Sequence, residues 1–275
     1  MNYKNIIKRI IGCSSNTRTV AIPHPVSTSQ EFDGKVALIS GGSGGIGLSI
    51  AKSLLESGCK VVVAGTNKDK LKRIKSDINN LNLDTTIMNY AKPDSFDEVV
   101  KGIVDKQGRL DIFISSAGVH TDNVSFWNMY PNEFDRVMNI NLKGVFFACQ
   151  SVGKYMKEAG IKGSILLVSS SRGSEPAWSP YGVSKWGLKG LTEGLAKMLL
   201  PYGVTVNTIA PGSTATGLIG IKEGDSINSN ENGMNRLIMP DEVATLAKLL
   251  VSDAGKMIVG ETVHIAAGRG TFDIR

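Results

Sequence analysis

The chain has 275 residues, 41% apolar and 20% charged, with a net charge of +6: the make-up of an ordinary globular protein with one large domain or two small ones. No apolar run approaches the roughly 18 residues of a membrane-spanning helix, and three scattered cysteines (Cys13, Cys59, Cys149) argue for a reducing compartment and against a disulfide framework or a zinc site. The charge is not a nucleic-acid signal, because Lys4, Lys8, Arg9 and Arg18 put +4 into an acid-free stretch of 30 residues and leave only +2 for the rest.

Residues 1–31 read as a basic arm and linker, and residues 32–275 as a single domain. In the arm, Ile6, Ile7, Ile10 and Ile11 share one helical face, which suits contact with an anionic membrane surface or a partner. "IIGC" resembles a lipoprotein cleavage box ending on Cys13, but Lys8 and Arg9 interrupt the apolar stretch such a signal needs. The plainer expectation is a poorly ordered leader and a linker rich in Ser, Thr and Pro, on a cytoplasmic protein.

From Phe32 onward, apolar strands alternate with glycine-bearing loops and amphipathic helices. Strands are expected at 35–40, 60–65, 85–90, 110–118, 163–171, 204–212 and 261–268. Helices are expected from the glycine loop after the first strand, over "DKLKRIKSDINNL" and "FDEVVKGIVDKQG", as one long helix over 131–160, from Pro180, and over "PDEVATLAKLLVSD". Strands apolar throughout suit a parallel sheet covered on both faces. The expected fold is therefore α/β, a doubly wound parallel sheet of about seven strands (a Rossmann fold), with its ligand at the carboxyl ends of the strands.

"GGSGGIG" (41–47) fits G-x-G-x-x-G through Gly42, Gly44 and Gly47, and G-x-x-x-G-x-G through Gly41, Gly45 and Gly47. Either way, small residues let backbone approach a pyrophosphate, and a helix N-terminus near Gly45 offers free N–H groups. Ser43 and Ile46 belong to the same loop. An acid on the second strand would take the ribose of NAD; here Gly65 stands in that place, followed by Thr66, Asn67 and Lys68. These donors favour a 2′-phosphate, so NADP is expected, with NAD as the alternative. Further on, Tyr181 and Lys185 stand four residues apart, on one face of a helix. Alone, such a pair is as well explained by an aromatic packed beside a solvated cation.

Together these segments resemble the short-chain dehydrogenase/reductase family, over nearly the whole chain from Phe32 to Asp273. "SGGSGGIG" (40–47) is similar to its T-G-x-x-x-G-x-G, "SSAG" (115–118) to N-N-A-G, "YGVSK" (181–185) to Y-x-x-x-K and "PGSTAT" (211–216) to P-G-x-x-x-T. "NLKG" supplies Asn141, and "VSSSRG" (168–173) carries the serine, aligned to Ser170 with Ser169 and Ser171 as rivals. The departures are Ser40 for threonine, Ser115 and Ser116 for the two asparagines, Asn89 for an aspartate near the adenine, and "AAGRG" (266–270) for D-G-G.

The resemblance implies an NAD(P)-dependent oxidoreductase interconverting a ketone and a secondary alcohol. Tyr181 would be the general acid or base, with Lys185 lowering its pKa and holding the nicotinamide ribose. Ser170 would position the substrate oxygen, and Asn141 would hold a relay water. Gly41, Ser43, Gly45, Ile46, Gly47, Thr66, Asn67, Asn89, Ala117, Gly118, Pro211, Gly212 and Thr216 would bind the cofactor, the last at the carboxamide. No metal is implied.

The polar, glycine-rich segment after Thr216, where the family builds a lid, favours a polar carbonyl substrate (a sugar, a polyol or a short oxo-acid derivative) over a greasy one. Trp178 and Trp186 are candidates for stacking on a sugar, or for the core or a subunit interface. A 3-oxoacyl-thioester is the alternative substrate, and a catalytically silent cofactor-binding scaffold the alternative of another class. The resemblance also implies a homo-oligomer, a tetramer or dimer.

Overall fold

The computed structural model describes residues 31–222 and 224–271; the basic arm with its isoleucine face and Cys13, the linker up to residue 30, Glu223 and residues 272–275 lie outside them. Seven strands form the sheet: β1 (Val36–Ser40), β2 (Lys60–Gly65), β3 (Leu83–Ile87), β4 (Ile112–Ser115), β5 (Ser164–Val168), β6 (Thr205–Pro211) and β7 (Thr262–Ile265). All pair in parallel, in the order β3-β2-β1-β4-β5-β6-β7. The seven α-helices among the described residues are α1 (Gly45–Glu56), α2 (Lys68–Ile78), α3 (Phe96–Gln107), α4 (Pro131–Met138), α5 (Gly144–Glu158), α6 (Pro180–Leu199) and α7 (Pro240–Val251).

The unbroken apolar runs follow from burial on both faces. Val36 and Leu38 of β1 enter a cluster with Phe96, Val100, Val152 and Leu188, whereas Ala37 and Ile39 enter the opposite one with Ile50, Leu54, Val243 and Leu250. Successive side chains of a strand point to opposite sides, so a sheet clad by α1, α2 and α7 on one side and α3, α5 and α6 on the other needs every position apolar.

Three expected boundaries shift for physical reasons. The third strand runs over 83–87, because α2 ends on Asn79 in the left-handed conformation (φ 45°) and the chain rejoins the sheet at Leu83. The fourth stops at Ser115, where the backbone leaves the sheet to form the floor of a cavity. The long helix over 131–160 is interrupted: Asn139–Lys143 form a π-turn between α4 and α5, with Gly144 N–H donating to Asn139 C=O. The extra residue in that turn carries Asn141, whose side chain is buried.

The order of strands reverses between β1 and β4, which opens a crevice at their carboxyl ends. Ser40 and Ser115 face each other across that junction. The buried Tyr90 hydroxyl lies between them, 2.5 Å from Ser40 Oγ and 2.8 Å from Ser115 Oγ. Tyr90 packs edge-on against Phe96, and a Cβ at Gly144 would come within 2.6 Å of its own Cβ, so α3 and α5 clamp the ring. Burial pushes the phenol's pKa up and keeps it a neutral hydrogen-bonding group. The two serines that depart from the family pattern are thus matched by a tyrosine that reaches both. Tyr90→Phe is expected to cost about 1–2 kcal/mol, since Ser115 Oγ loses this partner while buried. A lower urea midpoint at unchanged m-value would show it; an unmoved midpoint would mean the hydroxyl chain adds nothing.

Candidate active site

A cavity of about 490 Å³ opens at the carboxyl ends of β1, β2, β4, β5 and β6. Its floor is the glycine loop. Gly41 has φ +65°, and a Cβ there would come within 2.5 Å of Ala117 N, so only glycine lets the two loops touch. At Gly45 a Cβ would collide with the Thr216 methyl at 2.5 Å. Helix α1 begins with no side-chain cap and no acid in its first turn, leaving N–H groups and a positive dipole end facing the cavity. Backbone bared by missing Cβ atoms beside an uncapped helix terminus fits the pyrophosphate of a dinucleotide.

Gly41, Ser43, Gly45, Ile46 and Gly47 all line the cavity, as do Ala117 and Gly118 across from them and Pro211, Gly212 and Thr216 from the end of β6. Gly65 leaves the second strand without a carboxylate, and the Ser43 hydroxyl lies against it, 3.2 Å from where a Cβ would be. Beyond it the wall is Thr66, Lys70 and Asn89. Asn67 is used otherwise: its side-chain oxygen caps α2 by accepting from Lys70 N at 2.9 Å, and neither it nor Lys68 is on the wall. The basic group at this end is Lys70, one turn further along; its signal was the helix start, which puts the third residue rather than the first beside the loop.

At the other end Ser179 caps α6 and Pro180 opens it, which fixes Tyr181 and Lys185 in its first two turns. Lys185 is buried; its Nζ donates to Val168 C=O at 3.0 Å and lies 5.6 Å from the Tyr181 ring centroid. Burial pushes its pKa down to about 8. Ser170 stands beside the Tyr181 hydroxyl and acts on its pKa. Burial pushes this phenol up, while the Ser170 hydrogen bond and the Arg172 charge pull it down. The expected lowering by Lys185 is not among the influences on this phenol: the ammonium lies 5.6 Å from the ring centroid, and burial prevails.

The three serines separate cleanly. Ser169 donates to Lys185 C=O at 3.2 Å, and Ser171 packs under Gly270, where a Cβ would meet Ser171 C=O at 2.9 Å. Ser170, which also accepts from Arg172 N at 3.3 Å, is the one that meets Tyr181. Asn141 is not on the wall. It holds the Val119 backbone at both ends, accepting from N–H and donating to C=O at 2.9 Å each. A Cβ at Gly118 would sit 3.5 Å from Asn141 Oδ1 and 3.7 Å from Lys185 Nζ, so both flank the same glycine.

Sequence reasoning missed His120. Its ring stacks on Tyr181, centroids 4.2 Å apart and 20° from parallel. Arg136 braces the loop through its bond to His120 C=O at 2.7 Å and its pairs with Glu133 and Asp122. Burial, then the charges of Lys185 and Arg172, holds the imidazole's pKa below its ordinary value. Arg172, Ser213, Glu231 and Arg269 also line this end and were missed. Trp178 and Trp186 are exposed and off the wall; Trp186 Nε1 donates to Glu175 C=O at 2.8 Å.

The chain is similar to known proteins over most of its length. A profile of the short chain dehydrogenase family matches residues 35–224. The 3-oxoacyl-[acyl-carrier-protein] reductase FabG of Rickettsia felis is 33% identical over 243 residues, covering 86% of this chain and 98% of that protein. Its namesake from Thermotoga maritima is 32% identical over 248 residues, covering 87% and 99%. The crystal structure of 3-ketoacyl-(acyl-carrier-protein) reductase from Brucella melitensis complexed with NADH shares 29% identity and a TM-score of 0.78, covering 86% of this chain and 99% of that one. By a family match over well over half its length and by full-length relatives at this identity, the chain belongs to the short-chain dehydrogenases, NAD(P)-dependent oxidoreductases that act between carbonyl and alcohol groups.

Proposed function

We propose that this protein reduces a polar ketone to a secondary alcohol, with NADP in preference to NAD and with Tyr181 as the proton donor. The observation that carries the reading is Tyr181 with Ser170 and buried Lys185 on the wall of the same cavity as the glycine cradle. The reduced nicotinamide, when bound, supplies the hydride. Ser170 holds the carbonyl oxygen, and Tyr181 gives that oxygen its proton as charge develops on it. The resulting phenolate is stabilised by the Ser170 hydrogen bond and the Arg172 charge. Lys185 holds ribose hydroxyls with the N–H groups not spent on Val168. Asn141 keeps the Gly118–Val119 backbone in place beside Lys185 and so positions it. Lys70, with Thr66, supports the preference for a 2′-phosphate.

The full-length relatives named as 3-oxoacyl-[acyl-carrier-protein] reductases favour a second reading, reduction of a 3-oxoacyl thioester. Exposed Phe146 on α5 and Trp186 on α6 support assembly as a homo-oligomer. Buried Cys59 and Cys149, with thiols pushed up to about 12, are inert groups compatible with the cytoplasm. No helix among the described residues is long and apolar enough to cross a membrane.

Tyr181→Phe should lower kcat by about 10²–10⁴-fold with NADPH affinity little changed; wild-type turnover would remove Tyr181 from the mechanism, and wild-type protein that binds NADPH but turns over no ketone or thioester would favour a scaffold. Lys185 is an ammonium below its pKa and neutral above it, whereas the raised phenol stays protonated throughout this range. Reductive kcat/KM should therefore hold at neutral pH and fall as pH rises through about 8; a profile flat to pH 10 would contradict this. Lys70→Ala should raise the KM for NADPH by about 10-fold and leave that for NADH nearly unchanged, the size of one lost charge-assisted hydrogen bond. An equal effect on both cofactors would place Lys70 away from the 2′-phosphate.

A further inference from the structure

The cavity wall carries two lysines and two arginines, Lys70, Lys185, Arg172 and Arg269, with His120, against one carboxylate, Glu231. Lys70 stands with Thr66 and Asn89 at the ribose-phosphate end, and Lys185 lies behind Tyr181; of the two arginines, the proposed reduction uses Arg172 only as a charge acting on the phenol and leaves Arg269 unassigned. Both arginines are held from behind by Glu175, which accepts from Arg269 Nε with Oε1 and from Arg172 Nη1 with Oε2, both at 2.9 Å. The Glu175 backbone is itself tied to Trp186. Arg269 Nη1 is turned towards Ser213 Oγ, 3.2 Å away, and both groups donate to a single oxygen of Glu231.

A mostly buried guanidinium and a hydroxyl converging on one carboxylate oxygen form a carboxylate site. The hydrogen bond from Ser213 and the charges of both arginines hold the Glu231 carboxyl below its ordinary pKa. Ser213 and Arg269 sit on the framework, next to the ends of β6 and β7. Glu231 belongs to the polar segment between Thr216 and Leu237, which closes a hairpin through the Asn228–Arg236 bridge and meets the framework where Gly233 N–H donates to Ala267 C=O. Arg172 is two residues from Ser170, donates its backbone N–H to that hydroxyl, and acts electrostatically on Tyr181. The site thus adjoins the proton-transfer centre.

We propose that Arg269 and Ser213, with Arg172 alongside, bind a carboxylate carried by the ketone substrate, and that Glu231 holds this place until the substrate's carboxylate displaces it. The proposal rests on the reductase reading and narrows its substrates to short oxo acids. It predicts that an acid is preferred to its neutral amide, and that removing the internal competitor strengthens the preference.

The test compares NADPH oxidation with a series of short oxo acids and their amides, in wild type, Arg269→Met and Glu231→Gln. The ratio of kcat/KM for acid over amide cancels any general loss within each variant. It should exceed about 10 in wild type, fall towards 1 in Arg269→Met, and rise in Glu231→Gln, a charge-assisted contact being worth at least that factor. A second arm titrates the NADPH-loaded proteins with glutarate and reads tryptophan fluorescence, for which Trp186 beside Glu175 is a reporter. Glutarate should bind about 10-fold more weakly to Arg269→Met than to wild type, and more tightly to Glu231→Gln. Amides turned over as well as acids in all three proteins, or glutarate binding equal across them, would overturn the carboxylate site. Failure to reduce any ketone, with glutarate binding still dependent on Arg269, would overturn the reductase reading and keep the site.

Discussion

Where parallel strands diverge at a crevice their ends must be held, and here a phenol adds to the backbone bond from Ser116 N–H to Ser40 C=O. The Tyr90 hydroxyl sits between the facing serines of β1 and β4 at the point where the order of strands reverses. Two walls of the cavity begin at that junction: the glycine loop follows Ser40 and the Ser116–Gly118 stretch follows Ser115. Gly41 can approach Ala117 as closely as it does only because the strand ends beneath are locked at one separation. Hydroxyl to hydroxyl bonds are short and directional, and among buried groups their geometry is enforced by the cost of leaving any member unpaired.

From that junction the site is assembled in two halves with opposite electrostatic strategies. The dinucleotide half relies on absent side chains and an uncapped helix terminus, so its positive potential comes from backbone dipoles. The chemical half relies on buried ionisable groups whose environments pull against each other. Burial raises the Tyr181 phenol and lowers the Lys185 ammonium, while Ser170 and Arg172 oppose the first effect. His120, stacked on the phenol ring, closes the side that solvent would otherwise reach.

The sheet was legible because burial on both faces writes itself as unbroken apolar runs, and the glycine loop because a missing Cβ is visible in the letters. What escaped depends on chain segments far apart. Arg269 meets Glu175 across 94 residues and Glu231 across 38, distances over which no local pattern carries information. The π-turn at 139–143 has no residue signature; only the place where Asn141 must reach Val119 requires it. Lys70 was hidden by the cap on Asn67, which turned an expected ligand into a structural group and moved the cation by two positions. Ser40 and Ser115 looked like losses until the fold supplied Tyr90, from a segment read as strand that leaves the sheet after Ile87.

Lys185 has a thermodynamic consequence of its own. It stays an ammonium at neutral pH inside a fully enclosed site, with only one of its three N–H groups spent, on Val168, among the described residues. A folded pKa of about 8 against an ordinary value of 10.5 means that charging it opposes folding by about 3 kcal/mol. Because the folded value is the lower one, that opposition is complete below about pH 8 and fades as pH climbs towards the unfolded value. Any ligand that brings hydroxyl oxygens to Nζ relieves it. Occupancy of the site and resistance to unfolding are thereby joined through a single proton: a ligand whose hydroxyls met Nζ would return the stability that burying this charge withholds at neutral pH.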